Sequence, residues 1–375
     1  MVEIQGNKLR LNLQRQIDES YDLVFGKNLF PEIAEYLQKR NLAASYAIVT
    51  DSNVRNLHAS ELELCLKELG LQVKIFSFPA GEINKTMDNC LRITGEMSRA
   101  NYGRDSAILA LGGGVVGDMA GFMAAIFNRG IPYIQIPTTV LAQADSAVGG
   151  KTGVDTEWGK NLLGSFKQPE IVYVDIATLK TLPDQELRNG LAETIKHAII
   201  RDVNFFDYLE RNIGLILNRD TGSTLEIART NCRIKGEVVE IDPHERGLRK
   251  ILNYGHTAGH AVEKLSNFSL SHGYCVAIGM MVAGRIARAL GHFSQSDLER
   301  QQNLILRAGL PIYIPREIDN EGIINLTARD KKAKNATARY CLPTRIGEMK
   351  DFEGDYSTPV EGNIVIHALN ETRAN

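Results

Sequence analysis

Cysteine is scarce and scattered. Cys65, Cys90, Cys232, Cys275 and Cys341 make five, an odd number, with no Cys-x-x-Cys pair. That excludes a disulfide framework and a cysteine zinc cage, and it predicts reduced thiols in a cytoplasmic protein. An excess of one charge is also missing. A formal net charge of −2 gives no global field for nucleic acid or an anionic membrane. No apolar run approaches the ~18 residues that argue for a membrane span. The opening stretch, MVEIQGNKLRLNL, lacks the charged-then-apolar layout of a secretion signal. Internal repeats and low-complexity tracts are absent too, which removes solenoids and linker-like chains. What remains is an ordinary globular composition, 43% hydrophobic and 23% charged, over 375 residues. That length allows two domains or one large one.

Histidine is concentrated where other residues are not. Leu252 to Gly273, LNYGHTAGHAVEKLSNFSLSHG, holds His256, His260 and His272, three of the eight histidines. The first two are four apart on a predicted helix, so both rings share a face. His272 follows a short Ser/Asn-containing loop. Two imidazoles at i and i+4 with a third ligand are a recurring way to hold zinc. Ordinary helix and loop histidines are the plain alternative, and three so close together among glycines weigh against it.

Earlier in the chain, apolar runs alternate with amphipathic segments. Residues 8–25 read as a strand pair or a strand and turn. PEIAEYLQKRNL reads as a helix, SYAIVTDSNV as a strand with its carboxyl-end loop, and SELELCLKELG as a helix closed by Gly70. QVKIFSFP, MDNCLRITGEMSRAN and SAILALGGG follow as strand, helix and strand. This alternation argues for an α/β fold with a parallel sheet and helices on both faces. Ligands bind such sheets beyond the carboxyl ends of the strands.

Two segments there point to anions. Gly112, Gly114 and Gly117 fit G-x-G-x-x-G between a strand and a helix, where backbone N–H groups can cradle a pyrophosphate. A tight turn needing small residues is the alternative. Asp118 follows directly, and Asp51, Glu82 and Lys85 also lie at predicted strand ends, which favours a nucleotide. After the strand IPYIQIP come about forty polar, Gly-rich residues with little helical periodicity until LLGSF. They carry Asp145, Lys151, Asp155, Glu157, Lys160 and Asn161. Long polar segments inside compact domains are usually functional, and lysines beside glycines suit phosphate or carboxylate.

After the strand EIVYVD, Pro183 with Asp184 and Glu186 marks a helix start. We set a domain boundary here, giving 1–180 and 181–375, the second mostly helical. Glu193, Lys196 and His197 fall at i, i+3 and i+4. Glu193 is a candidate metal ligand, with a solvated Glu–Lys pair as the alternative. Lys235, Arg249 and Asn253 lead towards the histidines. Lys331 and Lys332 precede a possible hairpin, and the final EGNIVIHALNETRAN is expected to pack little. So many cations in motif-like stretches of a net-negative chain predict a small anionic substrate, a phosphorylated one. A metal beside a dinucleotide points to alcohol oxidation.

The chain closely resembles the 3-dehydroquinate synthases of the sugar-phosphate cyclase group. The resemblance runs from about Asp51 to the DKK stretch. It rests on PAGEINKT, GGGVVGDMAGF, IPTTVLAQADSAVGGKTGVD, GKNLLGSF, GLAETIKHAII and LNYGHTAGHAVE with SHG. It implies a Rossmann-like N-terminal NAD domain, a mostly α-helical metal-binding domain, and an active site in the cleft between them. It implies Glu193, His256 and His272 as ligands of one divalent metal, zinc or cobalt, with His260 turned to the substrate instead of pairing with His256. Asp145, Lys151, Lys160, Asn161, Lys196, Lys235, Arg249, Asn253 and one of Lys331 and Lys332 match substrate-contacting positions. Arg129 matches a residue that reaches the neighbouring subunit's phosphate, which implies a homodimer. The NAD positions are Asp51, Asn53, Glu82, Lys85, Gly113, Gly114, Val115, Asp118, Thr138, Thr139, Leu141, Thr181, Leu182 and Gln185, with Lys151 and Lys160. The implied reaction turns 3-deoxy-D-arabino-heptulosonate 7-phosphate into 3-dehydroquinate and phosphate, a step of the shikimate pathway.

Two positions depart from that pattern. Tyr274 and Cys275 follow the His-Gly pair where Glu is usual, which bears on the surroundings of His272. Asp155 stands where Asn is more usual. Sister cyclases making aminodehydroquinate, 2-deoxy-scyllo-inosose or 2-epi-5-epi-valiolone are the nearest rivals. A metal-dependent polyol dehydrogenase and a non-catalytic NAD-binding protein are more distant ones.

Overall fold

The computed structural model describes residues 3–5, 8–11, 13, 17–328 and 338–374. Lys331 and Lys332 therefore lie outside the described residues. Strands β1 (Glu3–Gln5) and β2 (Lys8–Arg10) form an antiparallel pair. The main sheet has six strands, β3 (Asp22–Gly26), β4 (Ser45–Asp51), β5 (Gln72–Phe78), β6 (Ser106–Gly112), β7 (Tyr133–Pro137) and β10 (Ile171–Asp175). Their order is β3-β10-β7-β6-β4-β5, and every pairing is parallel.

The central strands are near-continuous apolar runs because both faces are covered. On β4 and β6 the period of two is clear. Ala47, Val49, Ile108 and Ala110 enter one core, and Tyr46, Ile48, Ala107, Leu109 and Leu111 the other. Helices α1 (Phe30–Arg40) and α3 (Ser60–Glu68), the latter after a short α2 (Ser52–Val54), contribute Leu37, Leu62 and Leu66 to the second core. Helices α4 (Met87–Arg99) and α5 (Gly114–Ile126) contribute Ile93, Met97, Met119 and Met123 to the first. The chain leaves β4 for β5 at the sheet edge, then returns to β6 on the other side of β4. That reversal opens a crevice beyond the carboxyl ends of β4 and β6, next to Asp51 and Gly112.

The Gly-rich polar segment is ordered differently from the loop and helix expected of it. It forms an antiparallel hairpin, β8 (Lys151–Thr156) and β9 (Gly159–Phe166). Its crossing is too close for side chains: a Cβ on Gly164 would sit 2.3 Å from the Thr152 carbonyl oxygen. Glycine thus allows the strand pairing while erasing the apolar alternation by which a strand is read.

The second half is helical: α6 (Asp184–Arg201), α7 (Val203–Leu217), α8 (Thr221–Ile241), α9 (His256–Leu265), α10 (His272–Ala289), α11 (Gln295–Arg307), α12 (Asn320–Ala328) and α13 (Gly362–Glu371). Two small strand pairs lie between α12 and α13. They are β11 (Arg339–Tyr340) with β14 (Thr358–Pro359) and β12 (Pro343–Arg345) with β13 (Glu348–Met349). One core runs through these helices and reaches the sheet at Val172 and Val174. The chain end does pack, contrary to expectation. Val365, Ala368 and Leu369, at i, i+3 and i+4 on α13, are buried, and both Glu371 carboxylate oxygens accept from Arg288 of α10. Among the described residues no helix is long and apolar enough to cross a membrane.

Candidate active site and metal centre

The histidines meet because α9 and α10 lie unusually close. A Cβ on Gly279 of α10 would fall 1.8 Å from the Gly255 carbonyl oxygen. Gly255 itself has φ +79°, which turns the chain sharply into α9. His256 opens α9, His260 lies one turn on, and His272 opens α10. The His256 and His260 ring centroids are 5.1 Å apart, and those of His256 and His272 are 5.4 Å apart. Ligand nitrogens of all three lie within 4.8 Å of one another.

Glu193 on α6 comes closer still. Its Oε1 is 3.5 Å from His256 Nε2 and 3.4 Å from His272 Nε2. Both carboxylate oxygens are fully buried without a hydrogen-bond partner, although Oε2 is ion-paired with Lys196 Nζ. The far nitrogens of the rings are anchored. His256 Nδ1 faces the Tyr254 carbonyl at 3.1 Å, and His272 Nδ1 faces Glu263 Oε2 at 3.4 Å. Nδ1 donates in each case, which leaves Nε2 as the nitrogen facing Glu193 and the atom that would bind a metal, on His272 by giving up its proton. Two donors on a tetrahedral zinc at about 2.0–2.1 Å stand about 3.3 Å apart. One buried carboxylate and two oriented imidazoles therefore fit a divalent metal with an open position for substrate.

Charge is arranged tightly around this group. Burial alone would lower His272, but the neighbouring Glu193 and Glu263 carboxylates hold it raised to about 9. Burial alone would raise Glu263; the His272 hydrogen bond and the Lys160 charge hold it at about 2. Asp145 is held well below the carboxylate range, since Lys235 and Lys196 outweigh its burial. Lys235 Nζ donates to Asp145 Oδ1 and to its carbonyl oxygen, both at 2.5 Å. Lys235 itself is pushed down by burial. Arg249, also pushed down by burial, donates to the carbonyls of Pro243 at 2.6 Å and Gly149 at 3.3 Å. Lys151 pairs with Glu245, whose other oxygen accepts from Asn253 Nδ2 at 2.6 Å.

The nucleotide-type positions cluster on the sheet crevice. Asp51 Oδ1 caps the turn after β4, accepting from Asn53 N at 2.8 Å and Val54 N at 3.0 Å. Gly113 caps α5, with Gly114 and Val115 in its first turn. A Cβ on Gly113 would lie 3.1 Å from Thr139, and one on Gly114 3.7 Å from Leu141, so these four positions adjoin. The Thr138 hydroxyl is buried and unpartnered. Lys85 Nζ donates to Asp118 Oδ2 and Asn161 Oδ1, each at 2.6 Å, which joins the glycine turn to the hairpin. Lys160, also on the hairpin, lies 3.3 Å from Glu82. Thr181 and Leu182 end the turn after β10, and Gln185 Nε2 reaches Ser271 Oγ at 3.3 Å, beside His272.

Arg129 is not joined to this group. It is exposed beyond α5, with φ +70°. Tyr274 stays out of the hydrogen bond to His272, which Glu263 makes. Asp155 accepts the Asn161 backbone N–H at 2.8 Å, and so supports the αL turn that Asn161 adopts. Sequence reasoning missed Glu245 and Glu263. Glu245 sits in an aperiodic loop that gives no signal. Glu263 falls at i+3 from His260 and i+7 from His256, a helix spacing that places it on the same face.

Comparison with known proteins identifies the family. The family model for the 3-dehydroquinate synthase N-terminal part matches residues 75–189, and that for the C-terminal part matches 190–333. A 3-dehydroquinate synthase of Desulforamulus reducens is 44% identical over 337 residues, 90% of this chain and 94% of its own. One from Acetivibrio thermocellus is 44% identical over 343 residues, 91% and 94% of the two chains. Among solved structures, a 2-epi-5-epi-valiolone synthase from Streptomyces hygroscopicus with NAD+ and Zn2+ bound has TM-score 0.86 at 27% identity, covering 97% of this chain and 99% of that one. A 2-deoxy-scyllo-inosose synthase complexed with carbaglucose-6-phosphate, NAD+ and Co2+ has TM-score 0.85 at 26% identity, covering 94% and 97%. An NADH-dependent butanol dehydrogenase from Thermotoga maritima, at 15% identity and TM-score 0.66 over 96% and 99%, shares the fold alone. With both family models spanning most of its length and full-length relatives at this identity, the chain belongs to the 3-dehydroquinate synthase family.

Proposed function

We propose that the chain performs its family's reaction, turning 3-deoxy-D-arabino-heptulosonate 7-phosphate into 3-dehydroquinate and phosphate as a carbon–oxygen lyase. One observation carries the reading: Lys196, Lys235 and Arg249 are buried in one charged group with Glu193, His256 and His272. Three interior cations cost more solvation than a dehydrogenase of neutral alcohols needs, and an anion with two charged ends repays it. Glu193, His256 and His272 would hold a divalent metal. Asp51, Asn53, Glu82, Lys85, Gly113, Gly114, Val115, Asp118, Thr138, Thr139, Leu141, Thr181, Leu182 and Gln185 would line the NAD site. Bound together, the metal and NAD would supply Lewis-acid activation of a ring hydroxyl and reversible removal of the hydride from the carbon that bears it, so that NAD is regenerated each turnover.

The chain's own residues hold the substrate and move its charge. Lys151, Lys196, Lys235, Arg249, Asn161 and Asn253 bind the anionic ends and orient the ring. With the hydroxyl at the ketone level, the adjacent C–H is acidified. Its proton passes to the departing phosphate, the C–O bond to phosphate breaks, and His260 stabilises the charge at that carbon. After hydride return, the ring C–O bond of the hemiketal breaks to give a ketone and an enol, and the enol carbon attacks the ketone carbon in an intramolecular aldol step, which needs no further reactant. Asp145 keeps Lys235 in place throughout. Residues 1–180 and 181–375 act as the two walls of the cleft. We read the chain as a cytoplasmic homodimer in which Arg129 of one subunit meets the substrate phosphate of the other.

The sister cyclases remain the second reading, favoured by their structural similarity. The experiment is phosphate release from heptulosonate 7-phosphate with NAD and zinc, following NADH absorbance in parallel. Phosphate release without net NADH, abolished by a chelator, is the expected outcome. Net NADH would point to a dehydrogenase, and no phosphate to a sister cyclase's substrate.

A further inference from the structure

Glu263 touches both a histidine of the metal group and the hairpin. It is 4% exposed. One oxygen faces His272 Nδ1 at 3.4 Å, and the other accepts from Lys160 Nζ at 2.8 Å. Lys160 is on β9, outside the helical half. It also lies 3.3 Å from Glu82, in the segment after β5, and 5.0 Å above the Phe268 ring. A continuous chain of charge-assisted contacts, Glu82–Lys160–Glu263–His272, thus spans the cleft from the nucleotide crevice to the metal group. Its last link fixes which way an imidazole points. A carboxylate behind a metal-bound histidine sets its tautomer and orientation, and losing it typically costs 10–100-fold in metal affinity.

We propose that Glu263 is a positioning residue for His272, and that Lys160 makes this position depend on the nucleotide side of the cleft. The proposal rests on the metal and NAD reading above and deepens it. A nucleotide that draws Glu82 and Lys160 into its site fixes the Lys160 end of the chain, which fixes Glu263 and so the His272 ring. NAD then tightens metal binding, and the metal must tighten NAD by the same factor, because the two couplings are one free energy.

The test uses the metal-free full-length chain. Zinc affinity is measured by competition with a chromophoric chelator, with and without NAD at saturation for each protein, and folding is checked by circular dichroism. For the unchanged protein, NAD is expected to tighten zinc at least 5-fold. Glu263→Gln is expected to weaken zinc 10–100-fold, to alter the absorption of the cobalt-loaded protein, and to abolish the NAD effect. Lys160→Met is expected to keep the cobalt spectrum and lose the NAD effect. Zinc affinity of folded Glu263→Gln within 2-fold of the unchanged protein would overturn the positioning role. An unchanged protein whose zinc affinity ignores NAD would overturn the coupling, and that comparison stands even where Glu263→Gln does not fold. Glu193→Ala separates the two levels: if it binds zinc undiminished, the metal reading itself fails.

Discussion

His197 is fully buried beside Lys196, with Nδ1 3.0 Å from Asn231 Oδ1 and Nε2 unpartnered. Burial, reinforced by the Lys196 charge, pushes it down from 6.5 to about 4. Its folded value lies below its unfolded value, so protonation favours the unfolded chain. The stability this neutral imidazole contributes is whole above about pH 6.5 and is lost as pH falls towards 4, by up to about 3 kcal/mol. Urea unfolding at pH 7.5 and pH 5 should show a larger loss for the unchanged protein than for His197→Gln. An equal loss would put the acid sensitivity elsewhere. Lys196, its neighbour, is expected to act on turnover instead. Lys196→Met removes a cation from the anionic site, and phosphate release should fall by about 100-fold or more. Zinc content measured on the same folded sample separates that loss from a damaged metal site.

At the scale of elements, legibility followed periodicity. Strands β4, β6 and β10 and helices α4 and α6 carry apolar patterns of period two, unbroken burial or 3.6, and each was readable from the sequence. The β8–β9 hairpin was not, because its glycines remove the side chains that would alternate. Helix α13 was misjudged from its polar flanks although Val365, Ala368 and Leu369 mark a buried face. The spacing of His256 and His260 gave their proximity correctly. Glu193, sixty-odd positions earlier, could be read from its residues only as a candidate ligand beside a solvated Glu–Lys pair, since tertiary packing of α6 on α10 leaves no local trace; the family resemblance chose between the two. The α9–α10 contact gives a paired test. Gly279→Ala sets a Cβ 1.8 Å from the Gly255 carbonyl oxygen. It should destabilise by at least about 1–3 kcal/mol and weaken zinc binding, since it separates the helices that present His256 and His272. Gly214→Ala, on an exposed face of α7 with nothing within 4 Å, should stabilise by about 0.5–1 kcal/mol. Thermal melting with a zinc titration reads both.

For the whole molecule, the question is whether one chain completes its own site. The site's cations come from both halves of the chain, exposed Lys151 and half-buried Lys160 from the hairpin and buried Lys196, Lys235 and Arg249 from the helical half. Arg129 does not join them, and it sits exposed. If each site borrows the partner's arginine, two crippled chains can repair one another. Arg129→Ala subunits keep Lys196 but lack the lent arginine in their own homodimer. Lys196→Met subunits lend a sound Arg129 but cannot use it. In a hybrid, the Arg129→Ala subunit receives an intact arginine and keeps its own lysine, so one site of two is whole. Random reassortment makes half the dimers hybrids, and the mixture should recover about a quarter of the unchanged activity. Phosphate release is measured before and after the two proteins are mixed, with subunit exchange followed by a size tag on one of them. Activity that stays at the mean of the two parents after complete exchange would mean that Arg129 serves its own subunit or none, and the dimer would then be a matter of stability alone.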